Sequence, residues 1–141
     1  MKAFILMWVR LLNESTRELS YTAKQAGISL NVTWNGENMG FQFFSYNEGY
    51  QSFFGEALKE LQTFEPSKEL FESKKTAFIT GLKNSLMGEP YNRLDDLRSM
   101  CLGNMTLSTE ELIQEAENLT YDAFRETQKD WLQNLHIRWL I

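Results

Sequence analysis

The opening stretch of the chain carries apolar side chains at the spacing of an α-helix. They recur three, four or seven residues apart, at Trp8, Leu12, Leu19, Ala23 and Ala26. This pattern predicts one continuous helix over roughly residues 3 to 26. Gly27 follows it, and glycine readily adopts the left-handed turn that closes helices.

The same stretch imitates a secretory signal peptide, because Lys2 is followed by an apolar run from Ala3 to Val9. Arg10 interrupts that run and no small-residue cleavage site closes it, so a buried helix is the better interpretation. Nowhere does the chain approach the roughly 18 consecutive apolar residues that a membrane-spanning helix needs. We therefore expect no membrane association, and we favour a cytoplasmic location.

A β-hairpin is predicted next. Apolar residues occupy every second position of two runs: Ile28, Leu30, Val32 and Trp34 in the first, and Met39, Phe41 and Phe43 in the second. Between the runs, Asn35-Gly36 has the composition of a two-residue hairpin turn. We expect the strands to bury one face.

Two amphipathic helices are predicted after the hairpin. The first starts at Tyr50 and spaces its apolar residues three or four apart, at Phe53, Phe54, Ala57, Leu58, Leu61 and Phe64. Pro66 and Ser67 end it and cap the second helix. The second helix has an apolar set of its own, at Leu70, Phe71, Ala77, Phe78, Leu82 and Leu86. It ends at Gly88-Glu89-Pro90, and a shorter helix is predicted from Tyr91 to Leu102.

The remaining residues predict two capped helices and a closing strand. Ser108 and Glu111 have the spacing of a capping box, and Thr120 is placed to cap the last helix. Apolar residues alternate again from Leu135 to Ile141, which predicts a strand. A length of 141 residues with 43% hydrophobic content fits one domain. We therefore predict a single α+β domain, with helices packed on one face of a small antiparallel sheet.

The charge balance gives no general attraction to phosphate backbones or anionic lipids. The formal net charge is −5 and the isoelectric point is near 4.9, so nucleic-acid binding would need a local basic patch. Lys74-Lys75 is the one adjacent basic pair, and within a helical pattern we interpret it as solvated surface. We expect no nucleic-acid partner.

Residues that usually form metal or nucleophilic sites are scarce. One cysteine, Cys101, and one histidine, His136, exclude an internal disulfide and the usual zinc-finger arrangements. Metal-assisted hydrolysis needs at least two protein ligands, and the His-x-x-Glu-His signature is absent. His136 is predicted to lie in the last strand, and Cys101 on a helical face that buries it with Leu97 and Leu102. We interpret both as structural residues.

Pairs of carboxylates are the remaining candidates for catalytic residues. Asp95-Asp96 and Glu110-Glu111 are candidates for acid and base work of the kind that glycosidases perform. Adjacent helical residues diverge by about 100°, however, and do not face one substrate. Acidic residues are also favourable in the first turn of a helix. A hydrolase using Asp95 or Glu111 stays a third hypothesis, and we predict no catalytic, cofactor-binding or metal-binding residue.

Several short segments occur in an informative order. The first predicted helix contains Leu11-Leu12-Asn13-Glu14, Leu19, Tyr21-Thr22-Ala23 and Ala26-Gly27-Ile28. Later segments are Gly49-Tyr50, Phe64, Phe71-Glu72 with Lys74, Asn84 to Pro90, and Leu135-His136-Ile137. This collinear set resembles the insulysin and pitrilysin family of zinc metallopeptidases over nearly the whole chain. It most resembles the non-catalytic third domain of that family.

The resemblance implies a role. In that family four homologous domains, joined as two halves, enclose a chamber for short unstructured peptides, and the first domain holds the zinc. The third domain forms chamber wall and part of the contact between halves, while an arginine and a tyrosine that assist catalysis belong to the last domain. By resemblance, this chain is expected to be inactive alone and to hold no cofactor. Its expected partners are the remaining domains of the parent and the peptides in the chamber.

Two departures from the family pattern concern the ends of the chain. The family's third domain has strands before its first helix and continues beyond the position of Ile141, so we expect an excised piece of a longer chain. A sheet edge and part of an apolar face would then be exposed, which favours self-association into a dimer or larger oligomer. The competing hypothesis is a stand-alone module that binds peptides or proteins by adding strands to that edge.

Overall fold

The computed structural model describes residues 1–34, 38–45, 49–88, 94, 97–98, 101–102 and 107–133. Helices α1 (Lys2–Ser15) and α2 (Arg17–Gln25) precede strands β1 (Ile28–Trp34) and β2 (Met39–Ser45). The helices that follow are α3 (Tyr50–Thr63), α4 (Lys68–Leu86), α5 (Thr109–Asn118) and α6 (Tyr121–Gln133). The predicted α+β class is confirmed. Among the described helices, none is long and apolar enough to cross a membrane.

Helix α1 forms the centre of the core because apolar residues surround it. Its buried residues are Ala3, Phe4, Ile5, Met7, Trp8, Leu11 and Leu12. The helix packs against α4, α5 and β1. No side chain caps its start, but the Ala3 N–H donates to Glu115 Oε2 of α5 at 3.3 Å, which places a carboxylate at the positive end of the helix. The prediction of a buried helix is confirmed.

The continuous helix predicted over residues 3 to 26 is interrupted at Thr16, where α1 ends and α2 begins. Thr16 has φ −83° and ψ 6°, and its Oγ1 donates to the Leu12 carbonyl at 2.9 Å. Such back-bonding from a threonine bends helices. The predicted stop is confirmed, because α2 ends at Gln25 and Gly27 has a φ of 75°, which favours glycine.

The hairpin is amphipathic, as predicted. Strands β1 and β2 pair antiparallel, with Val32 opposite Phe41. Ile28 and Val32 are buried, whereas Asn31 and Thr33 on the other face are exposed. Helices α1 and α3 contact β1 and β2 respectively, so they cover part of the inner face of the sheet, where Phe41 stays 37% exposed.

Aromatic rings join α1 to α6 and to the residue that ends α3, and join α6 to α4. Trp8 makes edge contacts with Phe64 and with Trp131 of α6, with ring centroids 5.7 and 5.0 Å apart. Phe124 of α6 lies 5.2 Å from Phe71 of α4. Aromatic pairs of this kind contribute about 0.5–1.5 kcal/mol beyond their buried area.

Ala77, predicted for the apolar stripe of α4, is exposed instead.

Local caps begin three of the helices. Ser67 Oγ accepts from the backbone N–H three residues on, at 3.2 Å, and starts α4. Ser108 and Glu111 form the capping box of α5, and Thr120 Oγ1 accepts from the N–H three residues on, at 3.2 Å, before α6. All three caps were predicted and are confirmed.

Three predicted features lie wholly or partly outside the described residues. These are the turn at Asn35-Gly36, the closing strand from Leu135 to Ile141, and the helix from Tyr91 to Leu102. Of that helix, the structure describes Leu94, Leu97, Arg98, Cys101 and Leu102, and each of them is helical.

Candidate functional site

Cys101, considered as a nucleophile, lies at the surface. The prediction that it is buried with Leu97 and Leu102 is wrong, because Cys101 is exposed and the two leucines are 56% and 77% exposed. The helical spacing indicates which residues share a face, but not whether this chain covers that face. Cys101 therefore belongs to an exposed apolar surface.

The carboxylates at the start of α5 serve the helix itself. Glu111 Oε2 accepts from the Ser108 N–H at 2.8 Å and from its hydroxyl at 3.1 Å, which closes the capping box. Glu110 lies in the same first turn, where the helix dipole favours negative charge. Glu111 is thus held by the cap that it forms. The other pair, Asp95-Asp96, lies outside the described residues.

The described residues do not fit a zinc site. Within them, no group of three or more His, Cys, Asp or Glu side chains is placed to hold a metal ion. Protein zinc sites use three or four such ligands. His136, the one histidine of the chain, lies outside the described residues. Metal-assisted hydrolysis therefore has no ligand set in the part of the chain that is described.

The basic pair Lys74-Lys75 is only partly solvated, because both lysines join helices. Lys74 Nζ lies 2.9 Å from Glu14 Oε2 of α1. Lys75 Nζ donates to the carbonyls of Glu117 and Leu119 at 2.9 and 2.8 Å, where α5 ends. Both lysines are half-buried. Helix α4 is thereby tied to α1 by one lysine and to α5 by the other.

Glu14 lies between two cations. Its carboxylate contacts Lys74 at 2.9 Å and Arg17 Nη1 at 3.6 Å. The hydrogen bond from Lys74 and its charge hold the pKa of Glu14 below the ordinary value of 4.5. Glu14 and Arg17 also border a shallow open depression that includes Tyr21. Its mixed charges and open shape differ from the enclosed, mostly apolar pockets that bind small molecules.

Helix α6 holds the linker between α3 and α4 at three successive residues, 64 to 66. Gln128 Nε2 donates to the Phe64 carbonyl at 2.8 Å, and the Tyr121 hydroxyl donates to the Pro66 carbonyl at 2.9 Å. Arg125 forms an ion pair with the glutamate between them. The three side chains share one helical face, since they are spaced four and three residues apart. Sequence reasoning missed these contacts, because no local signal points to a partner so distant along the chain.

Large apolar side chains are exposed at several places among the described residues, including β2 and the helical residues after α4. On β2, Phe41 is 37% and Phe44 is 54% exposed. After α4, a leucine surface consists of Leu94, Leu97 and Leu102, whose exposure runs from 56% to 77%. Large exposed apolar groups mark contact sites when they cluster. The described residues therefore offer contact surfaces as the candidate site.

Comparison with known proteins gives the family context. The family model for the middle or third domain of peptidase_M16 matches residues 2–115. The A-factor-processing enzyme of Saccharomyces cerevisiae is 25% identical over 116 residues, which cover 82% of this chain and 11% of that protein. Insulin-degrading enzyme of Drosophila melanogaster is 25% identical over 130 residues, covering 92% of this chain and 13% of that protein. Human insulin-degrading enzyme is 22% identical over 135 residues, covering 96% and 13%. The chain thus spans 11 to 13% of the length of these relatives.

Proposed function

We propose, from the premise that this chain belongs to the family of middle or third domains of peptidase M16, that it is a non-catalytic structural segment of a larger zinc metalloendopeptidase. The match over residues 2–115 carries the proposal, and it confirms the insulysin resemblance found in the order of short segments. A family's chemistry resides in its site and not in every domain of its fold. Because the described residues offer no zinc ligand set, we assign the zinc to another part of the parent.

Within the parent, we assign this segment to the wall of a peptide-enclosing chamber. A wall needs helices that keep their positions, and side chains from distant parts of the sequence fix these helices to one another. Lys74 and Lys75 tie α4 to α1 and to α5, while α6 holds the linker at residues 64–66. The names of the relatives refer to A-factor processing and insulin degradation, which supports a polypeptide substrate for the parent.

We assign the leucine surface to the contact with the other half of the parent. Covering a leucine that is otherwise exposed stabilises an assembly by about 1.5–3 kcal/mol. The exposure of Leu94, Leu97 and Leu102 supports this assignment, since isolated domains rarely leave large apolar patches uncovered. A stand-alone peptide-binding module is not favoured, because the matching family is a middle or third domain and the relatives are much longer than this chain.

Substitution of Leu97 in the full-length parent tests the assignment. Leu97→Asp should lower kcat/KM for peptide cleavage by about tenfold or more, which corresponds to about 1.5 kcal/mol of lost apolar burial. The zinc content should stay unchanged, because the ligands lie elsewhere. Ala77→Asp is the matched control, since Ala77 is also an exposed apolar residue of a helix and lies outside the leucine surface. The assignment would be contradicted if Leu97→Asp cleaved the peptide with the wild-type kcat/KM. It would also be contradicted if Leu97→Asp and Ala77→Asp lowered kcat/KM equally.

A further inference from the structure

Two polar side chains in the core end in atoms that the protein itself does not bond. Trp8 of α1 is 1% exposed and Gln128 of α6 is 6% exposed. In the part of the chain that the structure describes, neither Trp8 Nε1 nor Gln128 Oε1 has a hydrogen-bond partner, although both atoms are shielded from solvent. Buried polar atoms of native proteins are almost always bonded to protein or to ordered water. The two atoms therefore point to a ligand.

The orientation of the Gln128 amide follows from its other contact. Gln128 Nε2 donates to the Phe64 carbonyl at 2.8 Å. A carbonyl can only accept, so the nitrogen of the amide must face Phe64, and the oxygen is left for another donor. The indole N–H of Trp8 is a donor only. One molecule that accepts from Trp8 and donates to Gln128 would satisfy both atoms.

Aromatic rings surround Trp8 and supply no lone pair to its N–H. The rings of Phe41, Phe64 and Trp131 lie 6.4, 5.7 and 5.0 Å from the indole, all in edge contacts. Phe64 also accepts from Gln128, and Trp131 follows Gln128 by three residues, which places both on the same face of α6. Phe64 and α6 therefore bring the unpaired donor and the unpaired acceptor into one region of the core.

We propose that one buried water molecule bridges Trp8 and Gln128. It accepts from Trp8 Nε1–H and donates one proton to Gln128 Oε1. Its second proton goes to the Phe64 carbonyl, which keeps another lone pair beside the one that Gln128 uses. Buried waters typically make about three hydrogen bonds, and these three groups supply them. The water thereby links α1, α6 and the linker between α3 and α4.

Water cross-peaks of the Trp8 indole proton, recorded by NMR on the isotope-labelled full chain, test the proposal. A long-lived water gives a cross-peak with the sign of the diagonal in a NOESY spectrum and with the opposite sign in a ROESY spectrum. Proton exchange gives the sign of the diagonal in both. The indole proton, assigned by its loss in Trp8→Phe, should show the first pattern. An indole proton without a water cross-peak, as expected if it is directed at an aromatic ring, overturns the proposal, and so does the exchange pattern.

Gln128→Met tests whether the water is a bridge. Methionine removes the acceptor and keeps most of the side-chain volume, so the water cross-peak of Trp8 should be lost. Tyr121→Phe is the matched control, because it also removes a hydrogen bond from α6 to the linker, at Pro66, but leaves the proposed water site unchanged. The cross-peak should persist in that variant. A cross-peak that survives Gln128→Met, or is lost equally in both variants, contradicts the bridge.

A crystal structure of the wild-type chain gives a second test that needs no variant. Electron density for a water should lie within about 2.5–3.2 Å of both Trp8 Nε1 and Gln128 Oε1. Density that reaches one of the two atoms alone, or no density between them, overturns the proposal.

Discussion

Replacing Lys75 with methionine should cost more stability than the same change at its neighbour Lys74. The Lys75 ammonium donates to the main-chain carbonyls of Glu117 and Leu119 at 2.9 and 2.8 Å. Carbonyls at the end of a helix lack an intrahelical N–H partner, so the lysine satisfies groups that the helix itself leaves open. Methionine keeps most of the aliphatic stem and removes the charge, so the change isolates the polar contacts.

The contacts of the two lysines set the expected magnitudes. Hydrogen bonds from charged donors contribute about 1.5–3 kcal/mol, and a cation at a helix C-terminus contributes about 0.3–1 kcal/mol. Lys75 is half-buried, so water replaces part of both contacts and we expect a loss of about 1–2 kcal/mol. The Glu14 side chain that pairs with Lys74 is 36% exposed, and exposed ion pairs contribute about 0–1 kcal/mol.

Urea unfolding, followed by tryptophan fluorescence and far-UV circular dichroism at one protein concentration, measures the difference. The urea dependence of the free energy of unfolding is about 1–3 kcal/mol per molar for a small protein. Lys75→Met should therefore lower the unfolding midpoint by roughly 0.5–1 M, and Lys74→Met should lower it less. Equal midpoints for the two variants would refute the reasoning, because water would then serve the α5 carbonyls as well as the lysine does.

Three further changes test individual features of the fold. Lys74 lowers the pKa of Glu14 in the folded protein below the ordinary value of 4.5. The charged carboxylate therefore stabilises the fold above pH 4.5, and this stabilisation is lost as the pH falls through the pKa that Glu14 has in the folded protein. On acidification below pH 4.5, Glu14→Gln should accordingly lose less free energy of unfolding than the wild type, and parallel pH curves would contradict this. Tyr121→Phe removes the hydrogen bond to the Pro66 carbonyl and should lower the free energy of unfolding by about 1 kcal/mol in urea; an unchanged midpoint would show that this bond adds nothing. Gly27→Ala should cost about 1–2 kcal/mol because of the left-handed backbone, and a wild-type melting temperature would argue against that cost.

Features set by local chemistry could be predicted from the sequence. The caps at Ser67 and Ser108 depend on residues three positions away, and the hairpin depends on alternation within each strand. The position of Gly27 depends on its own backbone freedom. In each case the pattern and the structural cause lie within a few residues of each other, so the prediction needed no tertiary information.

Features set by distant partners could not be predicted. The break at Thr16 arises because a hydroxyl bonds to a carbonyl one turn earlier, and a threonine at that position is also compatible with an unbroken helix. The role of Lys75 depends on where α5 ends in space. The exposure of Leu97 depends on which helical faces this chain covers, and periodicity identifies a face without identifying its partner.

The ordered segments were informative about family even though no single one is specific. The match over residues 2–115 confirms the resemblance, and its region includes the segments from Leu11 to Pro90. The last segment, Leu135 to Ile137, lies beyond that match. Family membership could thus be inferred from the order of residues, while the contact surfaces required the structure.

Cleavage of a fluorogenic peptide by the purified chain tests most directly whether this segment is structural and non-catalytic. The assay is run with added zinc, with and without a chelator, and the zinc bound per chain is measured on the same sample. We predict no cleavage above the buffer rate and no stoichiometric zinc. Chelator-sensitive cleavage by a chain holding one equivalent of zinc would contradict the central claim.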